Sequence, residues 1–459
     1  MYLRRSLKNC GSRECGESMF LERKEKEEKQ NGQRYVQGAV AGYDLGHDTA
    51  QISYCLSPSE NPETVSQIAG DEDYLIPAML AKRTDRELWL YGREAQECVL
   101  KGEAEPVTGL LEKAAAGRAV EVAQEAYDPI ALLTLFLKRT LSLLVPVIPI
   151  NRLQAFVFSV EEVTAPVLEA LRQAAAQLGL SVERIYVIGR AESFFYYNIC
   201  QPQELWAQDV MVCDFSGQML KTLLFTRNRR TTPVACFVEE KQKEQLKRFP
   251  DTEDETERIR NGMKLDERFY EVLQEELADR QVSSVYLIGT GFDGDWYQKS
   301  RQILCRDRRV FRGNNLYSKG ACYAGRERLK KGGISGEYAF LGKDMLKANL
   351  GMHVVRRGAD AYLALLDAGT NWYEAQKECE FLLEEKNTFS LRITPLNGRE
   401  VREVQVTLGG LAQRPAYTTR IRMKVDMTDV KTVRISMEDL GFGEFFPATH
   451  KFWEETFLL

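Results

Sequence analysis

From Val36 to Tyr54 apolar positions alternate with small or polar ones, in two short runs joined by GYDLGHDTA (Gly42 to Ala50). Period-two alternation around a turn rich in Gly and Asp predicts a β-hairpin. Extended pieces follow at Tyr74 to Met79 and Leu88 to Gly92, the second running into a short helix, Arg93 to Leu100. Asp128 and Pro129 open a longer helix, in which Ile130, Leu133, Leu137 and Leu141 recur every three to four residues until Pro146. AFVFSV (Ala155 to Val160) is a buried strand, and Thr164 caps the next helix, whose Val167, Leu168, Leu171, Ala175 and Leu178 make one stripe ending at Gly179. A strand at Ile185 to Ile188 leads into a helix in GRAESFFYY (Gly189 to Tyr197), where SFFYY reads as core and interlobe packing. Strand and helix in alternation predict an α/β lobe around a mixed sheet.

A second lobe repeats the theme. VMVCDFSGQMLKTLLF (Val210 to Phe225) predicts another hairpin, Glu239 to Arg280 a charged, solvated helix pair, and VYLIGTGF (Val285 to Phe292) a strand entering a glycine turn. From about Gly351 onward, TFSLRI, VREVQVTL, TRIRMKVD and VKTVRISM alternate apolar with polar, with Asp426 to Lys431 as a hairpin turn, and this predicts a β-sandwich. The aromatic end, Phe445, Phe446, Phe452 and Trp453, is expected to pack back on that sandwich. The predicted organisation is a charged flexible tail (1–35), lobe I (36–207), lobe II (208–340) and an all-β domain (351–459).

Composition narrows the choice of function. With 459 residues, 44% apolar and 28% charged, the chain is long enough for several cores and is ordinarily globular. Its net charge is −5 and no arginine-rich face stands out, which argues against a nucleic-acid partner. The longest apolar stretch, LSLLVPVIPI (Leu141 to Ile150), is too short to span a bilayer, and the N-terminus lacks a signal-peptide core, so a cytoplasmic protein with no membrane partner is expected. Ten cysteines without a CxxC and three histidines leave little for a zinc site, a disulfide framework or a Ser/His/Asp triad. Cys213 reads as a buried small hydrophobe.

The chemistry sits at the hairpin turns. An aspartate at such a turn, followed by glycine, presents backbone N–H groups to phosphate while its carboxylate holds a hydrated Mg²⁺. Asp44 and Asp214 both have this setting, in an order that suggests ATP between two lobes. His47, within the first turn, is equally readable as a ligand or as a structural residue.

These segments resemble the actin-like ATPase superfamily, and within it the seventy-kilodalton heat-shock chaperones. Gly42-Tyr43-Asp44-Leu45-Gly46 resembles the first phosphate loop, VCDFSGQMLK the second, LIGTGF the adenosine loop, and NNLYSKGACYAG (Asn314 to Gly325) the closing helix between lobes. The resemblance implies a two-lobed α/β ATPase domain followed by a peptide-binding β-sandwich. It implies Glu192 and Asp214 as catalytic residues, with Asp44 and Asp214 holding Mg²⁺ through water. Asp44, Gly46, His47, Asp48, Thr49, Ser216, Gly217, Gly289, Thr290 and Gly291 would then contact ATP or ADP.

Departures from the family pattern bear on mechanism. Asp48 crowds the γ-phosphate, Gln96 stands where the family's lysine would be, with Arg93 as a candidate substitute, and the second loop lacks a threonine. Only 75 residues separate Asp214 from Gly289, so the adenine-clamping subdomain must be reduced. The segment Tyr338 to Gly351 lacks the family's acidic linker character, and no helical lid is expected after the sandwich. The expectation is an atypical chaperone-like protein with slow or absent ATP hydrolysis whose sandwich binds polypeptide or a dedicated protein partner; the alternative is a pseudo-ATPase interaction scaffold.

Overall fold

The computed structural model describes residues 39–57, 61–67, 74–250, 252–313, 315–330, 334–384, 387–396 and 400–459. The predicted tail, and the start of the first hairpin at Val36, lie outside these residues. Two sheets with the same strand order form the N-terminal body. In the first, Ile185–Gly189, Ala155–Val160, Val40–Leu45, Thr49–Cys55 and Glu63–Thr64 lie side by side, and Ile76–Pro77 also pairs with the fourth of these. In the second the order is Arg309–Arg312, Val282–Ile288, Asp209–Asp214, Met219–Asn228, Val234–Lys247, closed by Tyr338–Phe340. Each sheet is built on an antiparallel hairpin whose first strand runs parallel to a later, buried strand. That common order places the turns after Leu45 and Asp214 at matching ends of their sheets, facing one cleft.

Local chemistry explains most of these elements. Asp128 accepts from the Ile130 amide and Pro129 opens Pro129–Leu141, while Thr164 accepts from Val167 at the head of Ala165–Gln177. One prediction fails in lobe II. Glu239–Lys247, rich in Glu, Lys and Gln, belongs to the strand Val234–Lys247 rather than to a helix, and only Glu255–Leu277 is helical there. Pairing with Met219–Asn228 along ten residues overrides helix propensity, and the buried Lys243 is matched by Glu276 of the following helix at 2.5 Å.

The two lobes meet over a helix pair, Arg190–Ile199 and Leu316–Leu329. Their approach is too close for side chains. A Cβ on Gly320 would stand 2.1 Å from the Ser193 carbonyl oxygen, and one on Gly42 would stand 2.2 Å from that of Ser318. Phe194 and Phe195 fill the core beside this crossing, as SFFYY predicts, and Cys213 is buried.

The C-terminal domain is a sandwich of two four-stranded sheets. One holds Ala359–Leu366, Ala348–Arg356, Thr388–Pro395 and Arg402–Thr407; the other holds Gln376–Leu382, Arg420–Met427, Thr432–Gly441 and Phe452–Leu458. Leu391, Ile393, Val406, Ile421, Met423, Val425, Val433, Ile435 and Met437 form its interior. The aromatic end divides. Trp453 and Phe457 pack inward, but alternation turns Phe452 outward, and Phe445 is 91% exposed at a loop tip.

The connection between body and sandwich is short and bonded throughout. Leu341 N–H donates to Cys236 O and Leu346 N–H to Thr370 O, while Asp344 O and Lys347 O accept from the amides of Trp372 and Leu396.

Candidate functional site

The turn residues singled out by sequence converge on the cleft, but an arginine lies between the two aspartates. Arg190, the first residue of its helix, donates from Nε and Nη2 to the two carboxylate oxygens of Asp44, both at 3.1 Å. Its Nη1 lies 3.8 Å from Asp214 Oδ2. Asp214 is further occupied by the Tyr317 hydroxyl, which donates to Oδ2 at 2.9 Å, and by the Ser216 amide, which donates to Oδ1 at 2.9 Å. The guanidinium also stacks over the Tyr317 ring, 4.8 Å from its centroid. Asp44 and Asp214 are both buried.

Burial alone would favour a neutral Arg190, yet Asp44, Asp214 and Tyr317 outweigh it and hold the guanidinium charged, above its ordinary value. Burial, followed by the charge of Asp214, pushes the Tyr317 hydroxyl well up, so it stays a donor. A hydrated Mg²⁺ does not fit beside this group. The Arg190 guanidinium occupies the position between the two carboxylates that the ion would take, and a cation about 4 Å from it meets a repulsion of roughly 4 kcal/mol per unit charge at an effective dielectric near 20, which offsets the attraction of one carboxylate. Only the space directly between the two aspartates is small. Asp44, Thr49, Ser216, Gly289 and Thr290 line a cavity of about 20 Å³, and Gly46, His47, Asp48, Asp214 and Gly217 one of about 60 Å³. These hold a few waters, whereas small-molecule sites typically offer about 300–1,000 Å³.

The remaining predicted residues are placed as follows. His47 is half exposed and its Nδ1 lies 3.1 Å from Glu112 Oε1, so it meets solvent and a neighbouring helix. Gly289, at φ +95°, would bring a Cβ within 2.3 Å of the Ser216 amide, and Gly291 packs on the Phe215 ring in the same way. The glycine turn is thus closed onto the second hairpin. Arg248 fastens it, donating from Nη2 to Phe215 O, to Ser216 O at 3.1 Å and to Thr290 Oγ1 at 2.9 Å. Larger openings flank the centre. One of about 990 Å³ is bounded by Asp48, Thr49, Arg93, Gln96, Thr290 and Asn315, and another of about 890 Å³ by Ile259, Met263, Thr290, Gly291 and Trp296, so nucleotide-sized space adjoins several of the predicted contacts.

Glu192 does not face the cleft. Two residues on from Arg190 it points about 200° away around the helix, and it is buried where the body meets the sandwich. There Asn371 Nδ2 donates to its Oε2 at 3.0 Å, and Arg328 pairs with Glu374 at 2.9 Å. Burial pushes Glu192 up to about 7, helped by Glu374 and Asp344 and opposed by Arg328 and Asn371. Arg190, Tyr317 and Arg248 are the residues that sequence reasoning missed. For Arg190 the sequence held no local signal, since the helix period says that Arg190 and Glu192 face different sides but not which side meets the cleft.

The described residues form a mixed α/β body with two sheets of matching strand order, an arginine between the turns of their hairpins, and two further four-stranded sheets that share a core. The chain belongs to the family of unknown function DUF5716, whose C-terminal part matches residues 61–343. Residues 345–459 match a domain of unknown function, DUF8552. No curated protein matches the chain.

Proposed function

We propose that the chain is a pseudo-ATPase interaction scaffold on an actin-like, heat-shock-chaperone-related plan, in which Arg190 holds the lobes together where a metal and nucleotide would otherwise do so. The shared strand order of the two sheets, the facing hairpin turns, the helix pair between them and the sandwich that follows support the plan. One observation carries the loss of nucleotide chemistry: Arg190 is bonded to both oxygens of Asp44 and lies against Asp214. A scaffold so locked has a nucleotide-independent shape, and the sandwich is its partner-binding element.

Calorimetric titration of the full chain with ATP and ADP, with and without Mg²⁺, tests this. Neither Mg²⁺-dependent binding nor nucleotide turnover is expected. Mg²⁺-dependent ATP binding that disappears in Asp44→Ala would overturn the scaffold reading and restore the nucleotide-binding one.

A further inference from the structure

The arginine-rich face absent from the linear reading forms at the outer edge of the second sheet. RQILCRDRRVFR carries Arg301, Arg306, Arg308, Arg309 and Arg312 against one acidic residue, Asp307. Its end is the strand Arg309–Arg312, paired on one side with Val282–Ile288 and, among the described residues, with nothing on the other. The Gly313 amide donates to Leu287 O, so strand alternation turns the amides of Val310 and Arg312 toward the open edge. Phe311 stacks on Tyr286, with centroids 5.1 Å apart and rings 18° from parallel, which gives the strand a rigid seat.

Charged side chains by themselves blunt an edge against self-pairing. Here the charge exceeds what the chain compensates. Arg309 meets Glu204 and Arg312 meets Asp293, both at 2.9 Å, but these pairs are exposed and weak. Arg308 is half-buried, and its Nε and Nη1 are shielded from water with no hydrogen-bond partner. The shielded Nε and Nη1 of Arg308 are out of reach of a partner, and it is the surplus charge of this strip, with Arg306 exposed beside an open edge, that favours an external carboxylate.

We propose that the edge strand Arg309–Arg312, with Arg306 and Arg308 before it, docks an extended acidic segment of a partner protein by strand addition. Backbone bonds to the open edge supply the register, and arginines supply the selectivity. Arg309 and Arg312 lie three positions apart, on opposite faces of the strand. The favoured segment is therefore a run of consecutive Asp and Glu, acidic on both faces, rather than an alternating one. This surface goes beyond the scaffold reading and does not depend on the state of Arg190.

The experiment uses the full chain and a fluorescein-labelled peptide of about ten mixed Asp and Glu residues, read by anisotropy at low salt and at about 0.5 M salt. Binding is expected at low salt and should fall steeply at high salt. Arg306→Gln/Arg309→Gln, at exposed positions, should weaken it about tenfold. Val310→Pro removes one outward amide without taking a hydrogen bond from the ladder to Val282–Ile288, and should also weaken binding; Val310 packs on the core beneath, so a modest fall in melting temperature is expected, with the circular dichroism spectrum at the assay temperature unchanged. Equal binding by all three proteins would overturn the proposal. So would tighter binding of a single-stranded RNA than of the acidic peptide, which would make the strip a nucleic-acid surface.

Discussion

A guanidinium shared by two buried carboxylates is satisfied only while both remain in reach, and each carboxylate is tolerated in the interior only while the guanidinium stays. Removing Arg190 therefore costs more than a contact, because Asp44 and Asp214 would be left facing each other out of water. Arg190→Met keeps the length and removes the charge. It should lower stability by about 3–5 kcal/mol, seen as a fall in denaturation midpoint. Millimolar Mg²⁺ should recover part of that loss in the variant and none in the native chain, since only the variant offers two carboxylates without a cation. An unchanged midpoint would show that the pair contributes nothing. Asp44 and Asp214 were legible in the sequence as the paired turns. Arg190 was not, because its partners lie 146 residues upstream and 24 downstream and meet only once both sheets have formed.

At the scale of elements, the helix Arg190–Ile199 serves two masters through its period of 3.6 residues. One side closes the cleft with Arg190; the other delivers Glu192 to Asn371 of the sandwich. Glu192 titrates near 7 in the folded chain and near 4.5 when unfolded. Its folded value is raised, so the native state holds the extra proton between these limits, and the contribution of this group to stability falls as pH rises through about 7. Glu192→Gln keeps the acceptor for Asn371 and removes the titration. It should be more stable than the native chain at pH 8, by on the order of 2–3 kcal/mol, with the gap closing toward pH 5. Melting curves at several pH values check this, and parallel pH profiles for the two proteins would contradict it. Strands that alternate cleanly, such as Arg420–Met427 and Thr432–Gly441, were readable from period two alone. Gln376–Leu382 was not, because it is an edge strand, largely exposed, with polar residues on both faces; Ala348–Arg356 is an inner strand whose alternating Ala348, Leu350, Met352 and Val354 are masked in the sequence because Gly351 and His353 interrupt the pattern.

For the whole molecule, the passage from mixed helix and strand to strands alone was readable in the sequence, because the hydrophobic period of 3.6 drops out after about Gly351; the way the parts are joined was not. The segment around Asp344, read in sequence as a linker without the character of one, is stitched by backbone bonds to a lobe II strand on one side and to two separate stretches of the sandwich, around Thr370 to Trp372 and at Leu396, on the other. This has a consequence for proteolysis. Lys343 and Lys347 are exposed and offer trypsin two cleavage sites at the boundary between the two matched families. A protease must draw several residues into an extended strand of its own, and these residues are already spent on bonds that break only when the segment is lifted from the strand of lobe II and from the sandwich. Brief trypsin treatment of the native chain should therefore leave Lys343 and Lys347 uncut while nicking elsewhere, and an early, intact sandwich fragment in the digest would mean that the two parts move independently.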